Sequence, residues 1–418
     1  MKSAVYDLEI YRNYFNGIFI DVKTDRKLIQ QYIDADIDGD KELMKEVLSK
    51  VNHRSFIVKD GNLEQLAEFV DFVDTLGTIF GFNNYNYDDL MLDFIVRSYK
   101  KDFELEHLNY NLFDISQQII EDHIPAYHIR KEKEVLKFYK APYRSIDLMK
   151  LNYLDKRENR VSLKQVGIIL KWYKIQDLPI DPHSVISDEQ VPKLVYYCIN
   201  DVLITLELLM YSLDELRIRN EVVKEYDVMV LSDSRSGTGD KLMSKFYSES
   251  TGLQFRDYKD RKTYRSIIHF GSFLSTRIHF DTIEMNTLLD KIKSTKYRPG
   301  FDKLRFSVIF REAEYIFATG GLHSKDRAGI LKSTDKYNFT DADVDSFYPR
   351  IMINERICPE HLSMDAFLII LESIVTKRLK YKSEGNHNGA DILKIVINSI
   401  YGEHPTCRIK IGLIAGIS

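Results

Sequence analysis

Asp7 and Glu9 stand two positions apart in a segment, Ala4 to Ile10, that reads as a strand. Side chains two apart on a strand leave from one face, so both carboxylates can address the same point. Further along, Gly81-Phe82-Asn83 is followed by Tyr87-Asp88, with Asp88 at the start of a helical pattern. Tyr197 and Asp201 lie four apart in a strongly helical stretch and therefore share a helix face. Carboxylate oxygens suit hard divalent cations such as Mg²⁺ or Mn²⁺. Two such ions about 3.5–4 Å apart stabilise the in-line attack that cleaves a phosphodiester. Singly, each piece has a plainer reading. D-x-E is common, Asp88 beside Asp89 is charge favoured at a helix start, and Y-x-x-x-D is often a surface hydrogen bond. The order D-x-E, N-x-x-x-Y-D, Y-x-x-x-D is what gives the set meaning.

A second set lies near the C-terminal end. Asp343-Val344-Asp345-Ser346-Phe347-Tyr348-Pro349 precedes Lys394-Ile395-Val396-Ile397-Asn398-Ser399-Ile400-Tyr401-Gly402. Lys394, Asn398 and Tyr401 form one helical stripe that Gly402 can terminate. Arg378 and Lys382 sit four apart on the preceding helical pattern, where guanidinium and ammonium groups suit phosphate oxygens. The plainer reading of those two is a solvated basic helix end. Phe317 to Ser324 carries a Gly320-Gly321 pair that is either a turn or a glycine loop.

Together these segments resemble B-family DNA polymerases of the phage type. The first set resembles the Exo I, II and III motifs of a DEDDy 3′–5′ exonuclease, and the second resembles motif A (D-x-x-S-L-Y-P) and motif B (K-x-x-x-N-S-x-Y-G). The resemblance implies an RNase H-like α/β exonuclease domain followed by a partial palm and short helical fingers. It implies that Asp7, Glu9, Asp88 and Asp201 hold two Mg²⁺ or Mn²⁺ ions, that Tyr197 orients the attacking water, and that Asn83 supports the strand or helix nearby. It implies a metal role for Asp343, a place for Tyr348 under the nucleotide sugar, and nucleotide contacts from Arg378, Lys382, Lys394, Asn398 and Tyr401. Gly320 and Gly321 match the loop between exonuclease and palm, although Ala318 stands where that loop usually has Tyr. Phe347 replaces the usual Leu. The acidic motif C is not found before Ser418, so the chain is expected to be truncated or one half of a split polymerase. On this reading exonuclease activity needs only this chain. Polymerisation needs a second polypeptide carrying motif C. The expected partners are primer-template DNA, a single-stranded 3′ end and deoxynucleoside triphosphates. The competing reading is a non-catalytic subunit that binds DNA or another chain.

The elements that must position these residues follow a mixed pattern. A hairpin is predicted over 4–22, a helical stretch over 27–50, a strand over 54–58, a helix over 62–77, a strand over 78–82, and helices over 88–99 and 188–209. Strands alternating with helices predict an α/β exonuclease domain over 1–212. A connecting region with the first palm strands is predicted over 213–335, and the partial palm and fingers over 336–418. A strand is predicted from Asn338, then helices over 366–382 and 390–401 joined by a Gly- and Asn-rich tip.

The composition, 418 residues with 44% hydrophobic and 29% charged, fits a globular chain with several domains. The net charge of −4 lacks the basic excess of many nucleic-acid binders, but clustered metal-binding carboxylates lower the total. Cys198, Cys358 and Cys407 are too scattered for a disulfide framework or a zinc site, which predicts a reducing cytoplasm. No apolar run is read as approaching the about 18 residues of a membrane span.

Overall fold

A computed structural model describes residues 2–401 except 137–142, 153, 155–159, 259–260, 262–264, 273, 300, 311–312, 319–320, 326–328, 331 and 341–345. The chain is mixed α/β and divides into two compact units. One comprises residues 1–220 with 231–234, and the other residues 221–230 with the chain from 235 onward.

The first unit is built on strands β1 (Ser3–Tyr11), β2 (Tyr14–Asp21), β3 (His53–Lys59), β4 (Thr78–Gly81) and β5 (Arg144–Asp147). They form one mixed sheet in the order β3-β2-β1-β4-β5. β1 pairs antiparallel with β2 and β2 with β3, whereas β1–β4 and β4–β5 are parallel. Its helices are α1 (Arg26–Ile37), α2 (Lys41–Lys50), α3 (Leu63–Asp74), α4 (Asp88–Lys101), α5 (Leu108–Ile120), α6 (Ala126–Glu132), α7 (Leu148–Leu151), α8 (Leu163–Ile169) and α9 (Val191–Tyr211).

The period-two pattern of β1 sorts its side chains cleanly. Tyr6, Leu8 and Ile10 enter the main core with Phe15, Phe19, Phe69 and Val70. Asp7 and Glu9 leave from the other face, under α9. Burying that apolar face drives the sheet to form, at about 25 cal/mol per Å² removed from water. The helical stretch expected over 27–50 is two helices. Gly39 takes a left-handed φ of 73°, and Asp40 accepts the Leu43 N–H at 3.0 Å to cap α2. α9 corrects the reading of apolar runs, since its length and composition would suffice to cross a membrane. Inside this fold that apolarity is used for packing on β1 and β2, with Leu194, Val202, Leu203 and Ile204 buried.

Helix α10 (Leu213–Tyr226) follows. The second unit contains α11 (Arg235–Thr251), α12 (Phe255–Tyr258), the short pair β6 (Ile268–His269) and β7 (Lys296–Tyr297), and α13 (Ile283–Lys293). It continues with an antiparallel meander of β8 (Arg305–Phe310), β9 (Ala313–Ala318) and β10 (Gly321–Lys325). Helices α14 (Phe347–Asn354), α15 (Met364–Ser383) and α16 (His387–Tyr401) complete it. The strand expected from Asn338 is not formed over 338–340, and its continuation lies outside the described residues. α15 and α16 form the expected helical hairpin, with the tip shorter than predicted because α16 already starts at His387. α11 crosses α16 so closely that a Cβ on Gly239 would sit 2.0 Å from Ser399 Oγ and 2.8 Å from the Ile395 carbonyl oxygen.

Candidate metal centre

Three of the predicted carboxylates converge. Asp7 and Glu9 from β1 and Asp201 from α9 each offer an oxygen, and these oxygens lie within 4.8 Å of one another. That spacing lets them share one oxygen-liganded cation. Asp88, in the first turn of α4, is 6% exposed and joins them electrostatically. The Leu8 N–H partly offsets the rise of both the Asp7 and the Asp88 carboxyls.

Burial sets the charge state. Loss of water pushes the Asp7 carboxyl well up, and the neighbouring Asp88, Glu9 and Asp201 push it further. Glu9 is raised by burial, then by Asp201 and Asp88. Asp88 is raised by burial and by Asp89. Asp201 is pushed up by burial to about 6, against hydrogen bonds from Tyr197 and Asn200 and the attraction of Lys164. Four acids held this close resist ionising together, and a divalent cation relieves that repulsion.

Tyr197 donates its hydroxyl to Asp201, one turn away on α9, and burial raises the phenol strongly. Asp89 is set apart from its neighbour Asp88. It accepts from Tyr6 Oη at 2.6 Å, Asn84 Nδ2 at 3.1 Å and Ser145 Oγ at 2.9 Å. Asn83 adopts a left-handed φ of 61°, and its N–H donates to Asp147 Oδ1 at 3.1 Å. It therefore braces the turn that delivers Asp88.

Two neighbours of the centre went unread in the sequence. Asp147 ends β5, is fully buried, and accepts the N–H groups of Asn83 and Met149. Burial pushes its carboxyl up to about 6. Only its place before a short helix marks it, as an N-cap. Cys198 is buried beside Tyr197 with Sγ 3.8 Å from Asp7 Oδ2. Nothing in its spacing signals this.

The second set is placed in the other unit. Arg378 on α15 donates through Nη1 to Ser346 Oγ at 2.9 Å, joining it to the turn that opens α14. Tyr348 on α14 is 46% exposed. Lys394 and Asn398 are exposed one turn apart on α16, and Lys382 is exposed near the end of α15. Gly321 pairs with Ala318 across β9 and β10. Tyr401 ends α16. Asp343, Gly320 and Gly402 lie outside the described residues.

No protein-family model and no curated protein matches this chain.

Proposed function

We propose that the first unit is a divalent-cation-dependent 3′–5′ exonuclease of the RNase H-like type, within a chain of B-family DNA polymerase kind. The observation that carries this reading is the meeting of Asp7, Glu9 and Asp201 at one point, with Asp88 alongside. The mixed sheet supports it, because its central strand supplies two of the carboxylates and the adjacent parallel strand leads into the helix that brings Asp88.

Bound Mg²⁺ or Mn²⁺ would supply a water of lowered pKa and a counter-charge for the phosphate oxygens. Asp7, Glu9, Asp88 and Asp201 would hold it. Tyr197 keeps Asp201 oriented and ionisable, and its phenol stays protonated at neutral pH, so it acts as a donor. Asn83 and Asp147 fix the turn before α4 and so fix Asp88. For the second unit, Arg378, Lys382, Lys394 and Asn398 are proposed contacts for a nucleoside triphosphate, with Tyr348 at the sugar. The exposed pair on α16 supports that part.

The test is degradation of a 5′-labelled single strand with Mg²⁺ and with EDTA. The proposal requires shortening from the 3′ end that needs the cation and disappears in Asp7→Ala. Cation-independent cleavage, or cleavage unchanged in Asp7→Ala, would overturn it.

A further inference from the structure

Asn16 lies directly opposite Glu9 in the antiparallel pairing of β1 and β2. Residues opposed in this way project from the same sheet face. Asn16 therefore shares the face of the carboxylates, while Phe15 and Phe19 on the same strand turn into the core. It is 0% exposed, and neither Nδ2 nor Oδ1 has a hydrogen-bond partner. The hydroxyl of Tyr14, two residues away and on the same face, is buried and unpartnered as well.

A buried amide left unbonded destabilises the fold, and an apolar side chain of similar size avoids that cost. Such a group calls for an explanation in function. Its cross-strand neighbour is in the complementary condition, since none of the described hydrogen bonds reaches the Glu9 carboxylate. A donor without an acceptor thus stands opposite an acceptor without a donor.

We propose that Asn16 is a positioning residue of the cation centre, its Nδ2 donating to the Glu9 carboxylate when a divalent cation is bound. This rests on the reading of Asp7, Glu9 and Asp201 as a cation site. Outer partners of this kind typically contribute about 10–100-fold in metal affinity.

The experiment is a Mn²⁺ titration of the full chain, followed by electron paramagnetic resonance of free Mn²⁺, with the melting temperature in EDTA measured in parallel. Asn16→Leu is expected to melt in EDTA at the wild-type temperature or above it, and to bind Mn²⁺ about tenfold or more weakly. If Leu does not fold, Asn16→Ser and Asn16→Ala serve instead. They leave similar cavities and differ by one donor, so Ser is expected to bind Mn²⁺ more tightly than Ala. Wild-type affinity in Asn16→Leu, or equal affinity in the Ser and Ala variants, would overturn the role of Asn16. Asp7→Asn separates the two levels. If wild type binds Mn²⁺ and Asp7→Asn does not, the cation site stands whatever Asn16 does. If wild type binds none, the site and the role of Asn16 fall together.

Discussion

Asp88 and Asp89 are adjacent, both buried in the first turn of α4, and face opposite tasks. Asp89 is held by three side-chain donors from Tyr6, Asn84 and Ser145, whereas Asp88 is coupled electrostatically to Asp7 and Glu9. Asp89→Ala would strand buried donors, each costing about 1–3 kcal/mol. It is expected to lower stability by at least that much. Asp88→Asn is expected to keep the cation-free melting temperature or raise it, and to lose cation-dependent nuclease activity by about 100-fold or more, beyond what outer partners contribute. Thermal denaturation beside a nuclease assay checks the pair. Equal stability losses in both variants would remove the distinction.

The raised carboxyls make stability depend on pH and cation together. In the cation-free protein the folded state keeps a proton on Asp201 between the ordinary 3.8 and about 6, where the unfolded chain has released it. Stability from this group is therefore fully present below the ordinary value and falls as pH rises through that window. Asp7, Glu9 and Asp88 act in the same direction. Divalent cation should reverse the loss, contributing about 2.7 kcal/mol at a concentration 100 times Kd. Asp7→Asn should raise cation-free stability at pH 7, since the variant has no carboxyl to ionise at a buried position crowded by Asp88, Glu9 and Asp201. Melting curves from pH 4 to 8, with EDTA or Mg²⁺, measure all three effects.

The Tyr197 hydroxyl lowers the proton affinity of Asp201 by donating to it. Tyr197→Phe removes that donor, so Asp201 should hold its proton to higher pH. Mn²⁺ affinity is expected to fall about tenfold near pH 6 and less near pH 8, where Asp201 ionises anyway. A loss equal at both pH values would show that the hydroxyl does not act through Asp201.

What the sequence made legible was what depends on spacing within one element. Asp7 and Glu9 share a face because strands repeat every two residues, and Tyr197 and Asp201 share one because helices bring i and i+4 together. What it hid depends on pairing between elements. Asn16 acquires its place only from the register of β2 on β1, Cys198 from the crossing of α9 over that sheet, and Asp147 from the parallel partner of β4. The break between α1 and α2 was written in Asp38-Gly39-Asp40, yet the amphipathic pattern runs through it and masks it.

The close crossing of α11 and α16 gives a stability test for the second unit. Gly239→Ala would press a methyl against Ser399 Oγ and the Ile395 carbonyl. Overpacking of this kind costs about 1–3 kcal/mol. Ser399→Gly should recover part of it, and Mn²⁺ affinity should not change. Urea denaturation of the single and double variants, with the Mn²⁺ titration, reads both.

The central claim is that Asp7, Glu9, Asp88 and Asp201 form a cation-dependent nuclease centre. A 5′-labelled primer with a mismatched 3′ end, annealed to its template with Mg²⁺ and all four deoxynucleotides, tests it most directly. The account predicts shortening from the 3′ end that is abolished by EDTA and reduced at least about 100-fold in Asp7→Ala, again beyond the contribution of outer partners. An intact primer with wild-type protein, or equal shortening by wild type and Asp7→Ala, would contradict it.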